Sequence, residues 1–204
     1  MRALNKDSLK EIKNSFKRFI SILLIVLLGV GFFAGIKATS PDMQDTLNKY
    51  YEDNNVFDIE IISTLGLTDS DIEEIKKLDG VEQVEGAYST DAIVGIGENE
   101  YVAKLYTMPE NINRIDIIEG RLPENENECV VEERFIEGTG KGIGDTIEFN
   151  IEDDEEGESI LKNNEMTIVG TVKSPLYISN ERGSSQLGAG KINYYVYVPK
   201  EVIN

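Results

Sequence analysis

Apolar positions fall into different textures along the chain. From Phe19 to Ile36 they run together: FISILLIVLLGVGFFAGI holds 18 residues without a charge. As a helix it spans about 27 Å at about 1.5 Å per residue, against a hydrocarbon core of about 30 Å. Thirteen of the 18 are Leu, Ile, Val or Phe, contributing on the order of −4 to −8 kcal/mol toward insertion. This predicts a transmembrane helix over 19–36. Before it, Leu9, Ile12, Phe16 and Phe19 recur at spacings of three and four, with Lys6, Lys10, Lys13 and Lys17 on much of the remaining surface. That is a basic amphipathic helix over 1–18, suited to the headgroup surface. The plainer alternative is a basic leader that only fixes topology.

Beyond the span the pattern predicts a stalk helix over 37–55. Ser40-Pro41-Asp42 carries a start signal, and Met43, Leu47 and Tyr50 or Tyr51 share a face over 41–52. Phe57 to Ile61 alternates as a half-buried strand. Thr68 caps a helix over 69–78 with Ile72, Ile75 and Leu78 inward, ended at Asp79-Gly80. Residues 81–98 read as extended, and 101–108 as a strand after a turn at Asn99. Short strands follow at 128–131, 146–151, 166–172 and 192–198. The run 152–158 suits a hairpin tip, and the Gly/Ser-rich 179–190 a long mobile loop. The expected fold is α+β over 56–204: a β-α-β unit with an inserted, mostly antiparallel β subdomain.

A cleaved signal peptide competes with the spanning helix. Its apolar stretch would be shorter, and it needs a small-x-small site. Cleavage after Ala38 would leave Ile36 at −3, and cleavage after Ser40 would put Pro41 at +1. Six bases precede the span and one closely follows it. The positive-inside tendency then predicts a plasma-membrane protein with its N-terminus cytoplasmic and residues 38–204 extracellular. Gly31 and Gly35 form a G-x-x-x-G pair that could let a second helix approach, or could be chance in a Gly-tolerant membrane helix.

Composition sharpens this. Of 204 residues, 38 are acids and 20 are bases, a net charge of −18. Residues 1–37 carry a net +5 and residues 38–204 a net −23. An acidic outer body argues against nucleic acid as a partner. With no His, Ser-His, Cys-His and His-ligated metal chemistry are excluded within the chain. The single Cys makes no internal disulfide.

No residue pattern marks a catalytic, cofactor or metal site. Gly138-Thr139-Gly140-Lys141-Gly142 lacks the spacing and terminal hydroxyl of a phosphate loop, leaving a glycine-rich turn. The six carboxylates of 152–158 lack calcium-loop spacing. Cys129 sits in an acidic strand context and reads as a small buried apolar residue.

Three stretches together resemble the extracellular core domain of FtsX-like, MacB-type ABC-transporter permeases. Glu119-Gly120-Arg121-Leu122-Pro123 followed by Glu128-Cys129-Val130-Val131 is similar to that family's "G-R-x-P … E-x-V-V/L-x-E" turn and strand. Gly142-Ile143-Gly144-Asp145-Thr146-Ile147 is similar to its "x-x-G-D-x-I" approach to the next strand. Met166 to Val172, with Ser174-Pro175-Leu176-Tyr177-Ile178-Ser179, resembles "F-x-I-V-G-x-V-x-S-P-x-Y-I-S". The resemblance implies a non-catalytic permease subunit whose membrane helices respond to a separate ABC-type ATPase. Its further partners would be the remaining permease helices or a second permease copy. Such permeases have four or more membrane helices against one here, so an N-terminal portion is expected, with 199–204 a helix just starting. The alternative is a single-pass anchored extracellular binding or adhesion module.

Overall fold

The computed structural model describes residues 10, 11, 13–63, 65–151 and 159–203. The chain divides into two units, Met1–Tyr50 and Tyr51–Asn204.

Helix α1, Phe16–Asp53, is a single helix of 38 residues, about 57 Å long at about 1.5 Å per residue. Among the described residues it is the one helix long and apolar enough to cross a membrane. The helix runs through Pro41, where a new start was expected. The missing Pro N–H removes one bond to Lys37, and the helical turns on either side persist. Along the helix Ser21 Oγ donates to Lys17 O at 2.9 Å and Thr39 Oγ1 to Gly35 O at 2.9 Å. Both hydroxyls are thus satisfied inside the helix. Phe16 opens α1 and is exposed. Leu9 and Ile12 lie outside the described residues, as does the acidic run 152–158.

Residues 57–88 form an open layer without a buried residue among those described. The alternating segment 57–61 bends at Asp58 and has no ladder partner, with Ile59 79% exposed. The strand expected there, and with it the β-α-β unit, is therefore not formed within these residues. Helix α2, Asp69–Lys76, is closed by a capping box. Asp71 N donates to Thr68 Oγ1, and Thr68 N donates to Asp71 Oδ2 at 2.8 Å. Ile72 and Ile75 are half-buried, whereas Leu78, expected inward, lies past the C-cap Lys77 and is exposed.

The outer core is a closed circuit of strands. These are β1 (Ser89–Ile96), β2 (Asn99–Thr107), β3 (Asp116–Gly120), β4 (Glu128–Glu132), β5 (Thr146–Asn150), β6 (Glu165–Lys173) and β7 (Tyr194–Val198). Helix α3, Glu133–Thr139, follows β4. The sheet order is β3-β6-β4-β7-β2-β1-β5, and β5 also pairs with β6. The ring β6-β4-β7-β2-β1-β5 thereby closes, with β3 as an extra strand on β6. Pairings β2–β7 and β4–β6 are parallel. The other five are antiparallel, so the subdomain is mostly antiparallel within an α+β fold.

Inward alternation fills the ring with side chains, as a small barrel must. Ala92 and Val94, Ala103 and Leu105, and Val196 and Val198 are fully enclosed, together with Phe135 of α3. A second, smaller cluster of Val130, Val172, Tyr195 and Tyr197 lies on the outward positions. β6 serves both because its register against β4 shifts between Cys129–Ile168 and Val130–Gly170. The extra residue, Val169, inverts the parity of the strand. Met166 and Ile168 thus join the interior and Val172 the outer cluster. The chain's end forms a 3-10 turn, Lys200–Val202, whose Val202 is fully buried in the interior cluster. The start of a helix expected over 199–204 is thus a short turn tied down by the Leu161–Ile203 bridge.

Candidate functional site at the end of the long helix

The last turn of α1 lies in the unit Tyr51–Asn204. Its carbonyls are closed by a Schellman arrangement. Asn55 adopts φ 48°, Val56 N donates to Tyr51 O at 2.9 Å, and Asn55 N to Glu52 O at 3.1 Å. Asn tolerates the left-handed region better than other side chains with a Cβ.

The turn that ends the helix is bonded to the loop between β2 and β3. Asn113 N donates to Asn55 O and Arg114 N to Asn54 O, both at 2.9 Å. Asn55 Nδ2 donates to Asn111 O and to Gln83 Oε1, both at 2.8 Å. Phe57 N donates to Asn113 Oδ1 at 3.1 Å. Asn113 is itself left-handed, with φ 58°. Asn54 is buried.

Glu85 fixes the same loop from the other side. Its carboxylate accepts Glu110 N at 2.8 Å, Asn111 N at 2.8 Å and Ile112 N at 2.9 Å. Burial pushes the Glu85 carboxyl up, but the three N–H groups outweigh it and hold it below its ordinary value. The loop so clamped follows β2 of the barrel and leads into β3 on β6.

The motif residues prove to be scaffold. Arg121 grips Glu128 bidentately, Nη1 to Oε2 and Nη2 to Oε1 at 2.7 Å each. Gly142 N donates to Asp145 Oδ2 at 2.8 Å, while Gly144 at φ 97° presents its N–H to Ile168 O. Gly138 of the glycine-rich segment lies on α3, where a Cβ would stand 2.1 Å from Tyr194 Oη. That glycine makes room for the Tyr194 ring. Cys129 is fully buried in the barrel interior, as expected. Gly31 and Gly35 lie on α1 with no other described atom near the position of an added Cβ. Among the described residues no three His, Cys, Asp or Glu side chains are grouped to hold a metal.

Sequence reading missed Asn54, Asn55, Glu85 and Asn113. The available signal was Asn54-Asn55 directly after a helical segment, since Asn is a recurrent helix terminator. Glu85 is one acid among many and carried no signal.

The unit Tyr51–Asn204 is thus a β barrel to which the last turn of a long apolar helix is clamped. The chain belongs to the family of MacB-like periplasmic core domains, whose model matches residues 19–203. Among solved structures it is similar to the extracellular domain of the noncanonic ABC-type transporter YknZ from Gram-positive bacteria, at 15% identity and a TM-score of 0.42. That likeness covers 68% of this chain and 65% of YknZ's. It is also similar to the periplasmic region of MacB from Actinobacillus actinomycetemcomitans, at 16% identity and a TM-score of 0.39, over 65% of this chain and 55% of that one. No curated protein matches.

Proposed function

We propose that the chain is part of an FtsX-like ABC permease subunit in which α1 passes motion to the outer domain. Residues 1–18 lie on the cytoplasmic side as an interfacial helix, with Leu9, Ile12 and Phe16 toward the lipid. Residues 19–36 cross the plasma membrane, and residues 38–204 stand outside. A separate ABC-type ATPase hydrolyses ATP, and this chain contributes no catalysis. Gly31 and Gly35, one turn apart, offer a close-packing face to further permease helices or a second permease copy.

The observation that carries this reading is the clamp on the end of α1. A tether would leave the chain after Asp53 free to swivel. Here five hydrogen bonds from the Asn54–Phe57 segment reach residues 83 and 111–114. Displacement of the helix end must therefore move the β2–β3 loop or break those bonds.

The test uses the chain in nanodiscs with its ATPase, and spin labels at exposed sites on α1 and β3. ATP should change the inter-label distance distribution, and Asn55→Gly with Asn113→Ala should abolish the change while ATPase binding persists. A chain that recruits no ATPase and shows no ATP-dependent change would leave the anchored binding module as the account.

A further inference from the structure

The outward cluster of the barrel is roofed by the segment that joins β6 to β7. Its first residues belong to the cluster. Ser174 Oγ lies 2.7 Å from Tyr197 Oη. The Tyr177 ring stacks on Tyr195 at 4.8 Å between centroids and 5° between planes, and its hydroxyl meets Tyr106 Oη at 2.7 Å. Beyond them, residues 179–191 form a strap that contributes no buried apolar side chain. Polar contacts hold it: Arg134 Nη1 donates to Asn180 O at 3.1 Å, and Ser185 Oγ to Asp91.

One side chain of the strap is different. Arg182 reaches down beside the stacked pair of rings, its guanidinium carbon 5.1 Å from the Tyr177 ring centroid and 5.3 Å from that of Tyr195. Its Nε and Nη2 donate to Glu132 at 3.1 and 2.6 Å. The two side chains are 6% and 2% exposed. Glu132, at the end of β4, is fixed independently of the strap by Tyr195 N, which donates to Oε1 at 3.1 Å. The receiving half therefore rests on paired strands and a stacked Tyr177. The inserted half rides on a Gly/Ser-rich loop.

We infer that this cleft is a guanidinium-binding site and that Arg182 fills it as an exchangeable internal ligand. The arginine side chain of an extracellular peptide takes its place and releases the strap 179–191. Three physical points carry this. A site that offers a carboxylate to two N–H groups of one planar fork, beside a stacked pair of aromatic rings, matches guanidinium and poorly matches a compact ammonium. Removing Arg182 without a substitute would leave Glu132 buried and unpaired, which is costly. The strap therefore exchanges for another guanidinium and does not simply open. A segment held by polar contacts and short of buried apolar area opens at low cost, and the net −23 of residues 38–204 draws cationic peptides to the surface. The inference stands apart from ATPase coupling and needs only the outer domain's geometry.

The experiment is native-state hydrogen exchange on the full chain in nanodiscs, titrated with acetyl-Ala-Arg-Ala-amide and with its Lys counterpart. The Arg peptide should speed exchange of strap amides 179–191 at least tenfold and leave β4 and β7 amides unchanged. The Lys peptide should act at least tenfold more weakly. Arg182→Ala should bind the Arg peptide at least tenfold more tightly than the wild-type chain, and adding Glu132→Gln should abolish the gain. If Arg182→Ala does not fold, Arg182→Lys serves in the same comparison. A wild-type strap indifferent to the Arg peptide, an equal response to both peptides, or tight binding that survives Glu132→Gln each overturns the inference.

Discussion

Gly120 and Gly170 face each other across the β3–β6 ladder, and neither position has room for a side chain. A Cβ on Gly120 would stand 2.3 Å from Val169 O, and one on Gly170 would stand 2.6 Å from Arg121 O. Gly120 also holds φ 79°, where an L side chain is strained. The two glycines let β3 reach the parity inversion in β6. Gly120→Ala and Gly170→Ala should each destabilise the outer domain by about 2–4 kcal/mol. Thermal denaturation of the full chain in detergent measures it. Losses under about 1 kcal/mol would mean that the strands separate without cost.

Asn55 separates two contributions to the helix joint. Asn55→Gly keeps the left-handed turn and removes the bonds to Gln83 and Asn111. Asn55→Ala removes the bonds and adds conformational strain. The expected costs are about 1–2 kcal/mol for Gly and about 1 kcal/mol more for Ala. Hydrogen exchange of amides 109–114 should rise in both. A neutral Gly variant would show that the side-chain bonds do not hold the joint.

Acid should weaken the outer domain through Glu85 and Glu128. Burial pushes Glu85 up, but the N–H groups of Glu110, Ile112 and Asn111 hold it below 4.5. The fork of Arg121, followed by the Glu124 N–H, lowers Glu128 to about 2. Both groups bind protons more readily unfolded than folded. Their stabilisation is therefore complete above pH 4.5 and is lost as pH falls through the depressed folded values. Glu85→Gln should flatten the loss of stability below pH 4.5 in urea titrations run across pH. An unchanged slope would remove Glu85 from this role.

Cys129 should be chemically silent in the folded chain. It is enclosed at 0% exposure and burial pushes its thiol up, so the nucleophilic thiolate is scarce. A maleimide should label it only after denaturation. Rapid labelling of native protein would place Cys129 outside the barrel core.

The elements that local chemistry decides were legible in the sequence. Eighteen uncharged residues need no neighbour to declare a membrane helix. Thr68 and Asp71 close their capping box within four residues of chain, and β5 carries the alternation its burial requires.

Contacts distant in sequence were not legible. The alternation at 57–61 is that of a strand, yet a ladder needs a second backbone, and none of the described residues supplies one. Closure of the ring depends on β5 meeting β6, and the parity change at Val169 depends on register against β4. The 179–190 segment reads as mobile by its Gly and Ser content. In the structure one side chain, Arg182, finds a buried carboxylate 50 residues earlier in the chain. Local free energies set helices, caps and alternation residue by residue, whereas pairing and burial depend on partners that only the folded chain brings within reach.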